Sequence, residues 1–149
     1  MTHFIDVDQA FTRTSLYGTG HEVTYAGAQS FMRRKYTKDL TGVDVAVSGV
    51  PFDTATTNRP GTRFGPAAVR AASVQMAYGA AWPWGFDPFD RLAVTDYGDC
   101  LFDFGDPASV PTAIEAHADA MFAADVSPLT LGGDHFITLP LLRAAAKKH

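Results

Sequence analysis

Leu129-Thr130-Leu131-Gly132-Gly133-Asp134-His135 decides how the rest of this chain is read. A buried strand is expected over Pro128–Leu131; the chain then passes through two glycines and arrives at an acid and an imidazole. In open α/β sheets, ligands bind at the carboxyl ends of the parallel strands. A strand that ends in Gly-Gly-Asp-His therefore delivers a metal-ligating type of side chain to the edge where chemistry occurs. Two glycines there let the backbone approach a neighbour closely.

The surroundings repeat the same alternation. Downstream, a helix is expected from near Thr138, with Pro140 in its first turn and Lys147-Lys148-His149 against its negative end. Upstream, Pro107–Asp125 predicts a helix with Val110, Ile114, Ala118 and Met121 on one stripe, Pro111 falling in the first turn. Before it, a strand near Leu92–Tyr97 stops at Gly98-Asp99. The first clear strand is Val43–Val50, β-branched and nearly continuous, as a strand covered on both faces should be. Between Val50 and the next helix lies Phe52–Phe64, carrying Asp53-Thr54-Ala55-Thr56-Thr57-Asn58-Arg59-Pro60-Gly61-Thr62-Arg63. Connections beyond about a dozen residues tend to be functional or disordered. Gly65-Pro66 starts a helix whose Val69, Ala72 and Met76 share a face, with Gly79 placed as its C-terminal cap. The order β-α-β-α-β-α predicts an α/β fold with a parallel sheet and right-handed crossovers. Residues 1–40 read as a polar arm with aromatic punctuation and one helical turn near 26–34, followed by a domain over 41–149. Trp82-Pro83-Trp84-Gly85-Phe86-Asp87-Pro88 reads as an aromatic loop packed on the domain or on a neighbouring subunit.

Composition narrows the function classes. The 149 residues carry a net charge of −4, with 46% hydrophobic and 19% charged residues, a globular balance. Basic residues gather only at Arg33-Arg34-Lys35 and Lys147-Lys148, read as solvated helix ends, which excludes the footprint of a nucleic-acid binder. A single cysteine, Cys100, forms no internal disulfide and reads as a small core residue. Neither a signal-like N-terminus nor a membrane-length apolar run is present, and a cytoplasmic protein is expected.

Few residues compete with His135 as a ligand. His3 and His21 lie in the polar arm, His117 sits in a helix beside the apolar stripe, and His149 is terminal. Asp134 is a candidate carboxylate to hydrogen-bond and orient the imidazole. Asp53 and Asp99 read as turn or helix caps, and Asp96, inside an apolar run, receives no role. Gly18-Thr19-Gly20 lacks the strand and third glycine of a dinucleotide loop, and Ser48-Gly49 lacks a nucleophile elbow. On spacing alone, ligand and structural readings of His135 both stay open.

Three blocks then carry a resemblance: Ser48–Arg70 (SGVPFDTATTNRPGTRFGPAAVR), Val94–Asp99 (VTDYGD) and Leu129–His149 (LTLGGDHFITLPLLRAAAKKH). In this order and at these separations they resemble the arginase/agmatinase (ureohydrolase) family, nearest its bacterial agmatinase branch. The branch also shows phenylalanine where Phe136 follows the histidine. The resemblance implies the N-terminal half of a three-layer α/β/α arginase-like fold around a parallel sheet. It also implies a binuclear manganese centre that activates water for attack on a guanidinium carbon, releasing urea; hard oxygen-rich sites with some imidazole suit Mn²⁺. His135 matches the family's first histidine ligand. The family's Asp-x-His-x-Asp and later Asp-x-Asp segments, which bring the other ligands and the groups that handle substrate, are not in these 149 residues. Hence no catalytic residue is assigned here, and the chain by itself is expected to be inactive. The complete form is expected to be a homo-oligomer that converts agmatine to putrescine and urea, with Asn58 and Arg59 at the substrate rim. Another guanidino hydrolase, such as one acting on 4-guanidinobutyrate, is the alternative within the class. A non-catalytic half-domain that binds intact subunits is the alternative outside it.

Overall fold

A computed structural model describes residues 25–27, 29–77, 80 and 82–148. His3, His21, Gly18-Thr19-Gly20, Gly79, His149 and the first part of the arm lie outside the described residues. Three parallel strands, β1 (Val45–Val50), β2 (Val94–Asp99) and β3 (Ser127–Gly132), stand in the order β2-β1-β3. They alternate with α1 (Gly65–Ser73), α2 (Val110–Ala123) and α3 (Thr138–Lys148). The β-α alternation expected from the sequence is the observed fold, an α/β unit with helices on both faces of the sheet.

The central strand shows why. In β1, Ala46 and Val50 point into clusters with Met121 and Val126 or with Val110, Ile114 and Ile137, on the α2 and α3 side. Val47 points the other way, packing with Phe89 and Val94. A strand buried on both faces needs no polar alternation, which is why its sequence is continuously apolar. All four residues of the α2 stripe, Val110, Ile114, Ala118 and Met121, are buried.

α1 departs from its expected face. Val69 is 41% exposed and Met76 64%, whereas Pro66, Arg70 and Ser73 are buried. Arg70 turns inward because two carboxylates receive it. Its Nε and Nη2 donate to Asp96 at 2.7 and 2.9 Å, and its Nη1 donates to Asp99 at 2.6 Å. Burial works against the guanidinium charge, but these bonds more than offset it and hold its pKa above the ordinary value. Asp99, expected as a cap, is an ion-pair partner instead. A bulge brings it there: Val47 pairs with Asp96 but Ser48 pairs with Gly98, so Tyr97 is the extra residue. Without that insertion, Asp99 would alternate onto the opposite face from Asp96. Gly98 allows it, with φ +73° and a ring-close approach by Tyr36 that a Cβ would obstruct.

The segment before β1 runs along β2. Tyr36 bridges to Asp96 in parallel sense, Asp96 N–H donates to Lys35 O at 2.9 Å, and Thr37 N–H donates to Asp96 O at 3.0 Å. The single turn expected near 26–34 appears as a 3-10 turn at Phe31–Arg33. Arg34, read as solvated, is buried with its guanidinium 4.3 Å from the centre of the Phe89 ring, a cation–π contact. In the aromatic loop, Trp84 and Phe86 stack on each other, while Trp82 is 94% exposed rather than packed on the domain. Among the described residues, no helix is long and apolar enough to cross a membrane.

Candidate metal centre

The carboxyl ends of β1 and β3 lie side by side, and Asp134 and His135 follow directly after β3. β3 ends at Gly132, and a 3-10 turn, His135–Ile137, follows with Asp134 as its N-terminal cap. Gly133 takes φ +67°, and a Cβ there would collide with the carbonyl oxygens of Val50 and Phe52. The second glycine thus lets the junction nest against the end of β1. Asp134 N–H donates to Phe52 O at 2.8 Å, and Gly133 N–H to Thr62 O at 3.4 Å.

His135 is solvent-exposed. Its Nδ1 faces the Thr138 hydroxyl at 3.4 Å, and Nε2 has no partner among the described residues. The carboxylate of Asp134, expected on the imidazole, is engaged by backbone instead: Oδ1 accepts from Phe136 N–H at 3.0 Å and Oδ2 from Ala55 N–H at 2.9 Å. Phe136 lays its ring on Phe52, with centroids 5.3 Å apart.

The loop 51–64 lies against this junction. Asp53, whose side chain is buried, accepts from Gly61 N–H at 2.6 Å and from Arg63 N–H and Nε at 3.3 and 2.6 Å. The bond from Arg63 chiefly lowers its pKa, to about 2, so it stays ionised and the loop stays closed at ordinary pH. Asp53, expected as a turn or helix cap, is instead the ion-pair partner of Arg63 and ties the far end of the loop back to its start. Asn58 and Arg59 are exposed near the loop's tip.

A single imidazole with a free nitrogen suits one ligand position and no more. Among the described residues, no group of three or more His, Cys, Asp or Glu side chains is placed to hold a metal ion. The other polar clusters lie inside the domain. Ser48 Oγ and His117 Nε2 share a hydrogen bond of 2.5 Å between β1 and α2, and burial lowers the His117 pKa to about 4. Cys100 is buried, and burial pushes its thiol up to about 11, as befits an inert core residue. Sequence reasoning missed the Ser48–His117 and Arg70–Asp96–Asp99 pairings. The only local hint was Gly98 inside a strand, which signals a bulge.

The family model for the arginase family matches residues 43–149. An agmatinase of Chromobacterium violaceum is 55% identical over 142 residues, covering 95% of this chain and 44% of the relative. An agmatinase of Edwardsiella ictaluri is 53% identical over 105 residues, 70% of this chain. Among solved structures, a hypothetical agmatinase from Burkholderia thailandensis superposes with TM-score 0.86 at 62% identity, over 95% of this chain and 44% of its own. Proclavaminate amidino hydrolase from Streptomyces clavuligerus follows the same fold at TM-score 0.77 and 34% identity, over 86% of this chain and 42% of its own. A formiminoglutamase of Trypanosoma cruzi, solved with Mn²⁺, shares the fold at TM-score 0.58 and 21% identity, over 71% of this chain and 36% of its own. The chain thus spans less than half the length of the relatives it matches. With the three-block pattern, the parallel sheet and the Gly-Gly-Asp-His corner in agreement, this chain belongs to the arginase family.

Proposed function

We propose that this chain is the N-terminal half of an agmatinase that hydrolyses agmatine to putrescine and urea. The observation that carries the reading is 55% identity to a curated agmatinase across 95% of the chain. The exposed His135 at the carboxyl corner of the sheet supports it. On this reading, His135 would be one manganese ligand, the remaining ligands would come from the other half of the protein, and Asn58 and Arg59 would stand at the substrate rim. Manganese, when bound, supplies activation of water toward a guanidinium carbon. The complete enzyme is cytoplasmic and homo-oligomeric, and meets neither nucleic acid nor membrane.

The test is urea release by the complete protein with Mn²⁺, from agmatine and from 4-guanidinobutyrate in parallel. Preferential turnover of agmatine is expected, and preference for the acid would move the assignment to its sister reaction. His135→Ala should lower both bound manganese and turnover. Unchanged metal content and activity would remove His135 from the ligand set. The 149-residue chain alone, given Mn²⁺, should stay at background.

A further inference from the structure

Asp134 joins two segments that lie 79 residues apart. Its Oδ1 holds Phe136 N–H and so opens the turn that carries His135. Its Oδ2 holds Ala55 N–H in the loop that follows β1. Its own N–H adds a third link, to Phe52 O. At the loop's other end, Asp53 gathers Gly61 and Arg63. The loop is therefore closed on itself by Asp53 and fastened to the β3 corner by Asp134. Thr57, Asn58, Arg59 and Pro60 remain exposed between these anchors.

We infer that Asp134 is a positioning residue that fixes loop 54–62 as a preformed substrate-reading rim beside His135. The inference rests on the ureohydrolase reading only for what the rim reads. A carboxylate accepts from both backbone donors at once, whereas an asparagine amide accepts through its oxygen alone and turns a donor toward the other N–H. Bonds from backbone N–H to an ionised carboxylate are among the stronger hydrogen bonds. A rim held before substrate arrives lowers the ordering cost of binding, so its loss is read in KM more than in kcat.

Two variants of the complete protein test this from opposite ends. Asp134→Asn weakens the tether at the carboxylate, and Ala55→Pro deletes the N–H that it accepts. Each should raise KM for agmatine about tenfold, the loss of one charge-assisted bond, with a smaller change in kcat. Bound manganese should match the parent protein, and amide exchange across 54–62 should accelerate at least tenfold by the same measure. Ala55→Pro leaves the Asp134 cap on the His135 turn intact, so it reports on the loop even if Asp134→Asn folds poorly. Loss of manganese or of kcat in Asp134→Asn, with KM and loop exchange unchanged, would overturn the inference and make Asp134 an orienter of His135. Unchanged loop exchange in Ala55→Pro would overturn it as well. If the parent protein releases no urea from agmatine, the functional reading fails, while the exchange measurement still judges the tether.

Discussion

The two outer strands of the sheet have different neighbours along their free sides. β2 is closed by the segment around Lys35–Thr37, whose backbone takes up both the N–H and the C=O of Asp96. Behind that seam, Asp96 also accepts from Phe31 N–H at 2.7 Å and from the buried Arg70. β3 has no such strand along its outer side among the described residues, and its Leu129 is 47% exposed. Leu139 and Leu142 of α3 are exposed as well. One edge is therefore finished by chain that precedes the sheet, with a charged lock beneath it. Among the described residues the other has no neighbouring strand and exposes apolar side chains, the combination that recruits another segment.

The sharpest way to break this contrast is to study the 149 residues alone. They should self-associate through β3, and Leu129→Lys should reduce the association, since a charge on an edge strand opposes pairing. Size-exclusion chromatography with hydrogen exchange reads both. A sharp monomer peak, with β3 amides as protected as those of β2, would show that the two edges are equivalent.

The lock on the β2 side is the next largest effect. Asp96→Ala leaves Arg70 buried without its main partner, and such a broken pair costs about 3–5 kcal/mol. Urea unfolding of the complete protein measures it. A cost below about 1 kcal/mol, the range of surface pairs, would mean that the lock is ornamental.

The smallest effect lies between the sheet and α2. The folded pKa of His117, about 4, is below its ordinary 6.5, so the unfolded chain binds the extra proton first as pH falls. The contribution is full above pH 6.5, shrinks between 6.5 and 4, and levels off below. Allowing for partial exposure, it amounts to about 1–2 kcal/mol. His117→Gln should flatten the stability profile in that window relative to the parent. An unchanged slope would show that His117 is not what titrates there.

Much of this was legible locally. The α2 stripe, the three strands to within two residues at either end, and the place of Gly132-Gly133-Asp134-His135 after β3 follow from periodicity and turn chemistry. α1 shows where that reading fails. Its Val69, Ala72 and Met76 spacing suggested a buried face, yet the helix buries Arg70 because Asp96 and Asp99 await it. The same holds at the candidate site. His135 was visible in the sequence, whereas the attachment of Asp134 to Ala55 was not.

By itself, the sequence determined the order of strands and helices, the family pattern and the histidine at the end of β3, because neighbouring residues write those features as spacing. Only the tertiary structure decided the partners of the charges: Arg70 with Asp96 and Asp99, His117 with Ser48, Asp134 with Ala55. These bonds join residues from 26 to 79 positions apart, and a single bond across such a separation leaves no period in the chain to be read. It forms when packing brings donor and acceptor together away from water, where leaving either unpaired would cost more than holding both in place.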